Sequence, residues 1–398
     1  MKLNIKKSDL WTFCIMFTFV EPAYFQTFSQ LHMVYNLFRV LAVAYFILEY
    51  VQRKKKPGAV VIYLAMAIFT MLIACKFTLG NYESTLAAYL PFLGLTMWVD
   101  INASRDIEKV FRLLCGLLDV YVLIDIITLV LFPDGLYISQ SYQAAPYICW
   151  FLGYKNPQIR ILLPYLTLTL VYDYMRFDKL PKLTFVRLIA VVYTTIRLGS
   201  TTGLIAVVLF LALTAIFKNT GRDKVKNIIL KMLNIRNAYI IIAVIAVLVI
   251  FFDFQYNFSY LIVNILHKEL DLTDRIYVWK KVIPYIQKHL WVGSGVIYAE
   301  YSRAEIGASH AHNYFLNTLY NGGIISMVFL TFSWFSASKK SQKHTSHHEV
   351  RMLIFMSIVF LTMGISESLT GTMLLYPVLM LAYHSKYIVL YKEANYRL

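Results

Sequence analysis

Apolar runs long enough to cross a lipid bilayer recur from one end of this sequence to the other. A membrane-spanning helix needs about 20 such residues. With 59% hydrophobic residues, 15% charged residues and a mean hydropathy of +0.59, the chain is neither a soluble domain nor a disordered one. We therefore predict a single all-α polytopic membrane domain over residues 1–398. It has about twelve transmembrane helices, at residues 8–28, 31–51, 58–76, 83–100, 108–132, 159–176, 183–199, 201–217, 238–254, 314–335, 350–367 and 371–390.

The basic residues lie in alternate connections between these runs. The net charge is +16, and about 27 of the 38 Lys and Arg fall in every second loop and at both termini. This alternation is the positive-inside pattern, which places both termini in the cytoplasm. The charge therefore reports topology and contact with anionic lipid headgroups, and we expect no nucleic-acid partner.

Several familiar site types are missing from the sequence. Cys14, Cys75 and Cys115 fall in different predicted spans and Cys149 is alone in a loop, so no disulfide framework or metal spacing emerges. There is no nucleotide-binding glycine loop, so any chemistry must proceed without ATP hydrolysis by this chain. The first apolar run contains Glu21-Pro22 and lacks a small-x-small exit, and we expect that it is not cleaved as a signal peptide.

The connections between the spans differ greatly in length. Residues 218–237 place apolar side chains among lysines at helical spacing, which predicts a cytoplasmic amphipathic segment anchored along the inner leaflet. Residues 255–313, between the ninth and tenth spans, form the largest extramembrane element, an extracytoplasmic helical loop. A loop at residues 134–158 is also longer than packing requires.

An amphipathic helix in the large loop carries Arg275 and Trp279. Thr273 is a suitable N-cap and Asp274 favours the helix dipole in the first turn. Arg275 and Trp279 are four residues apart and share a face. Two interpretations are open: a functional pair, or an arginine that extends to lipid headgroups beside a tryptophan of the interfacial belt.

The same loop ends in His310-Ala311-His312-Asn313, directly before the tenth span. A histidine titrates near neutrality and can accept a proton from an attacking hydroxyl, although a histidine at a membrane boundary can also be a simple polar cap. Asn313 can hold the imidazole or cap the following helix, and we favour capping. We expect His310 to be solvated.

Five of the charged side chains inside predicted spans are candidates for a specific role, because burial of a charge there is costly. Arg39, Arg197 and Glu367 lie in the outer halves by this topology, and Asp119 and Asp125 lie in the fifth span. For the two aspartates we favour buried ion pairing, for example between Arg39 and Asp125. For Arg197 we favour a functional role.

These motifs together resemble the O-antigen ligase and Wzy-type polysaccharide polymerase superfamily. That family typically has an Arg followed by Trp, then His-Asn ahead of a helix with a Gly-Ile step, which here correspond to Arg275, Trp279, His312-Asn313 and Asn321-Gly322-Gly323-Ile324-Ile325. The run Gly199–Gly203 completes the resemblance. The family often has Ser-Arg where this chain has Ser200-Thr201, and Arg197, one turn earlier, can supply that charge.

The resemblance implies a glycosyltransferase that uses a glycan donor linked to polyprenyl pyrophosphate. It implies His312 as catalytic base, Arg275 as catalytic and pyrophosphate-binding, and Arg197 and Arg39 as further pyrophosphate ligands. Asn313, Trp279 and Glu367 would support them. Arginine forks suit phosphate oxygens, so we expect metal-independent inverting transfer without a cofactor.

The implied product is a surface polysaccharide, such as a capsule or exopolysaccharide, assembled from repeat units in the bacterial cytoplasmic membrane. Membrane lipids, a flippase and a chain-length regulator are the expected partners. A ligase of the same fold that transfers the glycan to another acceptor shares the motifs and stays open. A transporter of lipid-linked glycans is a different class, which should show internal repeats, and no convincing repeat is present.

Overall fold

The computed structural model describes residues 7–139, 147–219, 223–260, 263–264, 275–369 and 371–396. This part of the chain is mostly α-helical. In chain order the helices are α1 (Lys7–Phe19), α2 (Ser29–Gln52), α3 (Ala59–Cys75), α4 (Tyr82–Ala103), α5 (Ile107–Leu131), α6 (Lys155–Phe177), α7 (Lys182–Arg197), α8 (Thr201–Ile216), α9 (Lys224–Met232), α10 (Ile235–Phe252), α11 (Arg275–Lys288), α12 (Ala299–Ile306), α13 (Tyr314–Ser341), α14 (His348–Met363), α15 (Leu375–Tyr383) and α16 (Ser385–Tyr396).

Polar residues between the apolar runs begin several of these helices. The Asn81 side chain accepts the amide of Ser84 at 2.8 Å at the start of α4, and Asp106 accepts the amide of Lys109 at 2.8 Å at the start of α5. Each cap satisfies one of the amides that a helix N-terminus leaves without a partner. The short polar connections therefore fix where one helix stops and the next begins.

Five helices of the described chain are long and apolar enough to cross a membrane: α2, α4, α5, α10 and α13. The apolar helices α3 and α8 are shorter. The protein is therefore a multi-pass helical membrane protein, as the apolar runs predicted. The number of about twelve spans and the orientation of the bundle remain predictions.

Besides the predicted span at residues 314–335, which is interrupted at Gly323, two predicted spans are not continuous helices. Over residues 8–28, α1 ends at Phe19, ahead of Glu21-Pro22, because proline lacks an amide hydrogen and the buried Glu21 carboxylate pairs with Arg39. Over residues 371–390, the helix is interrupted at His384, whose backbone lies outside the helical region between α15 and α16. The His384 side chain pairs with Asp100 at 2.6 Å at this interruption.

The long loop after α5 contains a small antiparallel sheet, which the all-α prediction did not include. Its strands are β1 (Tyr137–Ser139), β2 (Tyr147–Trp150) and β3 (Gly153–Tyr154), in the order β1-β2-β3. The Asp125 carboxylate of α5 accepts the amide of Leu152 at 2.8 Å and so attaches the sheet to the bundle. This contact also gives the buried Asp125 a structural role.

The predicted amphipathic segment at residues 218–237 is a shorter helix than expected. It corresponds to α9, because the Asn234 side chain accepts the amide of Asn237 at 3.0 Å and starts α10 at Ile235. Most apolar side chains of α9 are exposed and Leu230 is buried. Residues 235–237 therefore belong to α10 rather than to the surface segment.

Two of the charges that we singled out inside the spans form ion pairs, but Arg39 does not pair with the partner that we expected. Arg39 donates to the Glu21 carboxylate at 2.8 Å, so the predicted pair of Arg39 with Asp125 is wrong. Asp119 pairs with Arg187 at 2.5 Å, which agrees with a structural role for that aspartate. A charge in a low-dielectric interior needs such a partner, because an unpaired one costs several kcal/mol.

A second, smaller hydrophobic core packs the large loop against the bundle. It joins Val278, Trp279 and Val282 of α11 to Ile306 of α12 and to Ala311 before α13. Most of the other buried apolar side chains of the described residues form one main core between the helices. The smaller core holds α11 and the start of α13 together, and this is the part of the molecule that carries the predicted site.

The two ends of the bundle differ in chemistry. We call the end with the sheet and the start of α13 the histidine end, and the end with the last turn of α13 (Lys339 and Lys340) the lysine end. The charge alternation predicts that the histidine end faces outward. In a cysteine-free background, we expect an impermeant thiol reagent to label Glu305→Cys, an exposed position of α12, in intact cells. Lys343→Cys should be labelled only after lysis, and labelling of Lys343→Cys in intact cells would contradict the orientation.

Candidate functional site

Charged side chains from three different segments meet at the histidine end. Arg160 lies in the second turn of α6, Arg275 is the first residue of α11, and Glu367 follows α14. The Glu367 carboxylate accepts from Arg160 Nη2 at 3.3 Å through Oε2 and from Arg275 Nη2 at 3.0 Å through Oε1. One carboxylate therefore bridges two guanidinium groups.

This bridged group is largely withdrawn from solvent. The side chains of Arg160, Arg275 and Glu367 are 14%, 18% and 9% exposed. The interpretation of Arg275 as an arginine that extends to lipid headgroups is therefore wrong in this structure. Two positive charges with one negative charge leave an excess positive charge in a weakly screened place, which favours an anionic ligand.

His310 and His312 pack against each other beside these arginines. Their ring centroids are 4.0 Å apart at an interplanar angle of 58°, and the His312 amide donates to Nδ1 of His310 at 3.3 Å. The expectation that His310 is solvated is wrong, because the contact with His312 encloses it. His312 has a φ of 48°, a region that side chains other than glycine rarely adopt and that often marks a functional position.

Three side chains hold the histidine segment in this conformation. Trp279, which is 1% exposed, donates from Nε1 to the Ala311 carbonyl at 2.9 Å, and Asn317 accepts the Ala311 amide at 3.1 Å. Asn313 caps α13 by accepting the amide of Leu316 at 2.9 Å, in agreement with the capping interpretation. The burial of Trp279 also excludes a place in an interfacial aromatic belt.

Asn313 joins the histidine segment to the segment that carries Glu367. Its Nδ2 donates to the Ile365 carbonyl at 2.9 Å, and the following amide, that of Tyr314, donates to the Gly364 carbonyl at 2.7 Å. Glu367 is two residues beyond Ile365. The base candidate and the bridging carboxylate are therefore fixed relative to each other by backbone contacts.

The surroundings of His312 keep its imidazole neutral. Burial first, and then the positive charges of Arg275 and Arg160, lower the pKa of His312 to about 4. Burial and the neighbouring His312 hold the pKa of His310 well below its usual range. The Nδ1 atom of His312 is buried and has no hydrogen-bond partner among the described residues. A neutral imidazole with an unoccupied ring nitrogen can accept a proton.

A close backbone contact holds α11 against α13. Helix α13 is interrupted at Gly323, and the segment after α11 occupies the gap: Gly295 donates its amide to Asn321 at 2.7 Å and Ile325 donates to Trp291 at 3.1 Å. A Cβ atom at Gly323 would lie 2.4 Å from the Trp291 carbonyl group, and one at Gly293 would lie 2.4 Å from the Gly322 nitrogen. The Gly-Gly-Ile motif therefore fixes the position of the helix that carries Arg275 and Trp279.

Gly323→Ala should destabilise the protein strongly. Its φ of 62° disfavours a side chain by about 1–3 kcal/mol, and the contact with Trp291 adds to that cost. We expect a fall of several degrees in the midpoint of thermal unfolding in detergent. Gly116→Ala is the matched control, because a Cβ atom there meets nothing within 4 Å. Equal midpoints for the two variants would contradict the role of this contact.

The predicted arginines Arg197 and Arg39 differ in their relation to this site. Arg197 ends α7 with an exposed side chain. The turn after it lies beside α6, since Ser200 contacts Asn156 at 3.3 Å, one helical turn before Arg160. Arg39 lies elsewhere, enclosed by contacts to Glu21 at 2.8 Å and to the Thr18 carbonyl at 2.9 Å.

Sequence analysis missed Arg160. It falls inside the predicted span at residues 159–176, so the same rule that selected Arg197 and Glu367 applies to it. Thr273 and Asp274, the predicted cap of the loop helix, lie outside the described residues. Among the described residues, no group of three or more His, Cys, Asp or Glu side chains is placed to hold a metal ion.

Together, the fold and the site define a multi-pass helical membrane protein with an enclosed arginine-histidine cluster at one end of its bundle. Residues 185–331 match the family model described as O-antigen ligase. This match supports the predicted similarity to the O-antigen ligase and Wzy superfamily, whose members are glycosyltransferase-like enzymes. His312, Arg275 and Arg197 lie inside the matched segment, whereas Arg160, Glu367 and Arg39 lie outside it. No curated protein matches the chain significantly.

Proposed function

We propose that this protein joins oligosaccharide repeat units carried on polyprenyl pyrophosphate into a surface polysaccharide, at the outer face of the bacterial cytoplasmic membrane. The observation that supports this most directly is the convergence of Arg160 and Arg275 on one carboxylate beside a neutral His312. Arginines that share an anion in an enclosed site suit a pyrophosphate, and a neutral imidazole suits proton abstraction.

In the proposed reaction the donor pyrophosphate takes the place of the Glu367 carboxylate between the two arginines. Each guanidinium group has five N–H donors. The Glu367 carboxylate accepts from one nitrogen of Arg160 and from one nitrogen of Arg275. Arg197, which ends α7 with an exposed side chain, is the proposed further cation for the lipid-linked phosphate. Arg39 stays a predicted ligand, but its contacts with Glu21 favour a structural role.

His312 is the proposed base. It takes the proton of an acceptor sugar hydroxyl as the oxygen attacks the anomeric carbon of the donor. The bond from that carbon to the phosphate oxygen breaks, and polyprenyl pyrophosphate leaves with the electron pair. Attack opposite the leaving group inverts the anomeric configuration, and the arginines stabilise the charge that develops on the phosphate oxygen. The proton on His312 is then lost to solvent or to the departing pyrophosphate.

The pKa of His312 predicts an unusual pH dependence. The neutral imidazole is the active form, so activity is complete above its pKa and is lost as the pH falls through it. With a pKa of about 4, the acid limb of kcat/KM should lie near pH 4 rather than near the ordinary value for histidine, about 6.5. Suppose instead that kcat/KM falls with an apparent pKa of 6 or above, and that this fall is absent in His312→Ala. That result would contradict the lowered pKa of His312.

The proposal is tested by incubating the purified protein with lipid-linked repeat units and separating the products by length on a gel. A ladder of products supports a polymerase, and a single addition to an added lipid core or wall polymer supports a ligase. Donor that crosses a vesicle membrane without reacting supports a transporter. In an EDTA arm, we expect unchanged activity, and a loss restored by Mg²⁺ or Mn²⁺ would show metal assistance. Flippase and chain-length regulator partners belong to this proposal.

A further inference from the structure

The lysine end contains a cavity of about 480 Å³ that the proposed reaction does not use. It lies where the connection between α2 and α3, the end of α13 and the junction of α15 and α16 meet. Helix α13 separates it from the histidine segment, which lies at the other terminus of the same helix. Its lining includes one carboxylate and five lysines, namely Asp100, Lys55, Lys56, Lys340, Lys343 and Lys386.

The carboxylate does not neutralise the lysines at the opening. Asp100 accepts the Gly58 amide at 2.9 Å and the Tyr50 hydroxyl at 2.7 Å, and it pairs with His384 at 2.6 Å. Lys55 is also engaged, because its Nζ donates to the Asp100 carbonyl oxygen at 2.6 Å. The residues in these contacts line the inner part of the cavity. The Asp100 carboxylate is therefore already occupied and does not pair with the other lysines.

The remaining four lysines are exposed around the opening. In the part of the chain that the structure describes, Lys56, Lys343 and Lys386 form no ion pair with a carboxylate, and the ammonium group of Lys340 lies over the Tyr383 ring at 5.5 Å. Four like charges around one opening repel one another unless an anion lies between them.

A buried hydroxyl inside the cavity is a second, independent indication of a ligand. Ser385 lines the cavity with 0% exposure, and its Oγ has no hydrogen-bond partner among the described residues. A buried hydroxyl without a partner is costly, so it should meet a ligand or water. The positive-inside pattern explains lysines on this face, but it does not explain an enclosed hydroxyl behind them.

We propose that this cavity binds a phosphate group, with Lys340, Lys343 and Lys386 as the charges and Ser385 as a hydrogen-bond donor. Lysines bind phosphate as point charges, and hydroxyls donate to its oxygens. The volume lies within the range of small-molecule sites and suits one headgroup or one small phosphate compound rather than a polymer. The phosphate can belong to an anionic lipid of the surrounding leaflet or to a free anion.

Native mass spectrometry of the full-length protein in detergent separates these sources. The probes are phosphatidylglycerol, neutral diacylglycerol and inorganic pyrophosphate, each titrated singly. The test variant is Lys340→Gln/Lys343→Gln/Lys386→Gln. The matched control, Lys224→Gln/Lys226→Gln/Lys231→Gln, removes the same charge from α9, whose lysines do not line the cavity. Ser385→Ala tests the hydroxyl without a change of charge, with the exposed Ser346→Ala as its control.

We expect the native protein to bind phosphatidylglycerol in preference to diacylglycerol. The lysine variant should weaken that binding at least about tenfold and Ser385→Ala about threefold or more, whereas both controls stay close to the native affinity. The same pattern with pyrophosphate alone supports a free anion as the ligand. The proposal is overturned if neither phosphate probe binds in preference to diacylglycerol, or if the test and control variants lose affinity equally. Because no donor glycan is present, this result is independent of the proposed transfer activity.

Discussion

Replacement of His312 by alanine should lower single-turnover transfer by about 10²–10⁴-fold, the contribution of a positioned general base. The imidazole is held neutral beside Arg275, its Nδ1 atom has no partner among the described residues, and its backbone is fixed in a left-handed conformation. The variant should still fold, because Trp279 and Asn317 hold the neighbouring Ala311 through its backbone. Donor binding, measured separately, should persist.

Alanine substitutions of two other histidines, His310 and His289, test whether His312 is a base or a structural side chain. His310→Ala removes the acceptor for the His312 amide and the ring packed against it, so we expect an intermediate loss. His289→Ala, at the first residue after α11, should leave the rate close to native. If His310→Ala is more severe than His312→Ala, the assignment of the base is reversed. If neither substitution slows transfer, a substrate group or water takes the proton.

The helical part of the fold could be predicted from the sequence because its cause is local. A run of apolar residues must be buried in lipid or protein wherever it lies in the chain, so α3, α4 and α5 follow the predicted spans within a few residues. The failures at Phe19 and His384 have a different origin. Pro22 is a local cause at the first position, but the pairs of Glu21 with Arg39 and of His384 with Asp100 join different helices, and no local pattern reports those contacts.

The residues of the candidate site also differ in whether a local sequence pattern could predict them. Arg275 and His312 could be named from motifs, since each stands in a short pattern of neighbouring residues. Glu367 could be named as a charge in a span, but its position between Arg160 and Arg275 depends on contacts across 207 and 92 residues of chain. The partner of Arg39 was mispredicted for the same reason, because Glu21 and Asp125 were equally available as acidic residues of other segments.

The structure also changes how loss of an arginine must be interpreted. Removal of one partner of a buried ion pair can cost about 3–5 kcal/mol because the other charge is left uncompensated. Glu367 has two cationic partners, so removal of Arg275 leaves Arg160 to pair with it. Reduced activity in an Arg275 variant can therefore be separated from misfolding, because the remaining pair of Arg160 with Glu367 leaves no carboxylate uncompensated.

Arg275→Ala should lower kcat/KM by about 10²–10³-fold, the usual effect of removing a donor that stabilises transition-state charge. Arg275→Lys should still lose at least tenfold, because an ammonium group keeps the charge but not the two-pronged donor geometry. Arg160→Lys should behave in the same way, since the two guanidinium groups share the Glu367 carboxylate.

The single variant Arg275→Gln and the double variant Arg275→Gln/Glu367→Gln together decide between binding and structure. In the single variant Arg160 still pairs with the Glu367 carboxylate, whereas the double variant leaves the Arg160 charge without this partner. If Arg275 binds the donor pyrophosphate, the thermal stability of Arg275→Gln should stay close to the native value while transfer is impaired in both variants. Arg187→Gln is the control: it breaks the pairs with Asp119 and Asp173, away from the histidine segment, so it should lower stability but leave the folded fraction active. Recovery of transfer in the double variant would show that Arg275 only holds Glu367 in place, and the pyrophosphate would then have to be bound by other cations, with Arg197 the first to test.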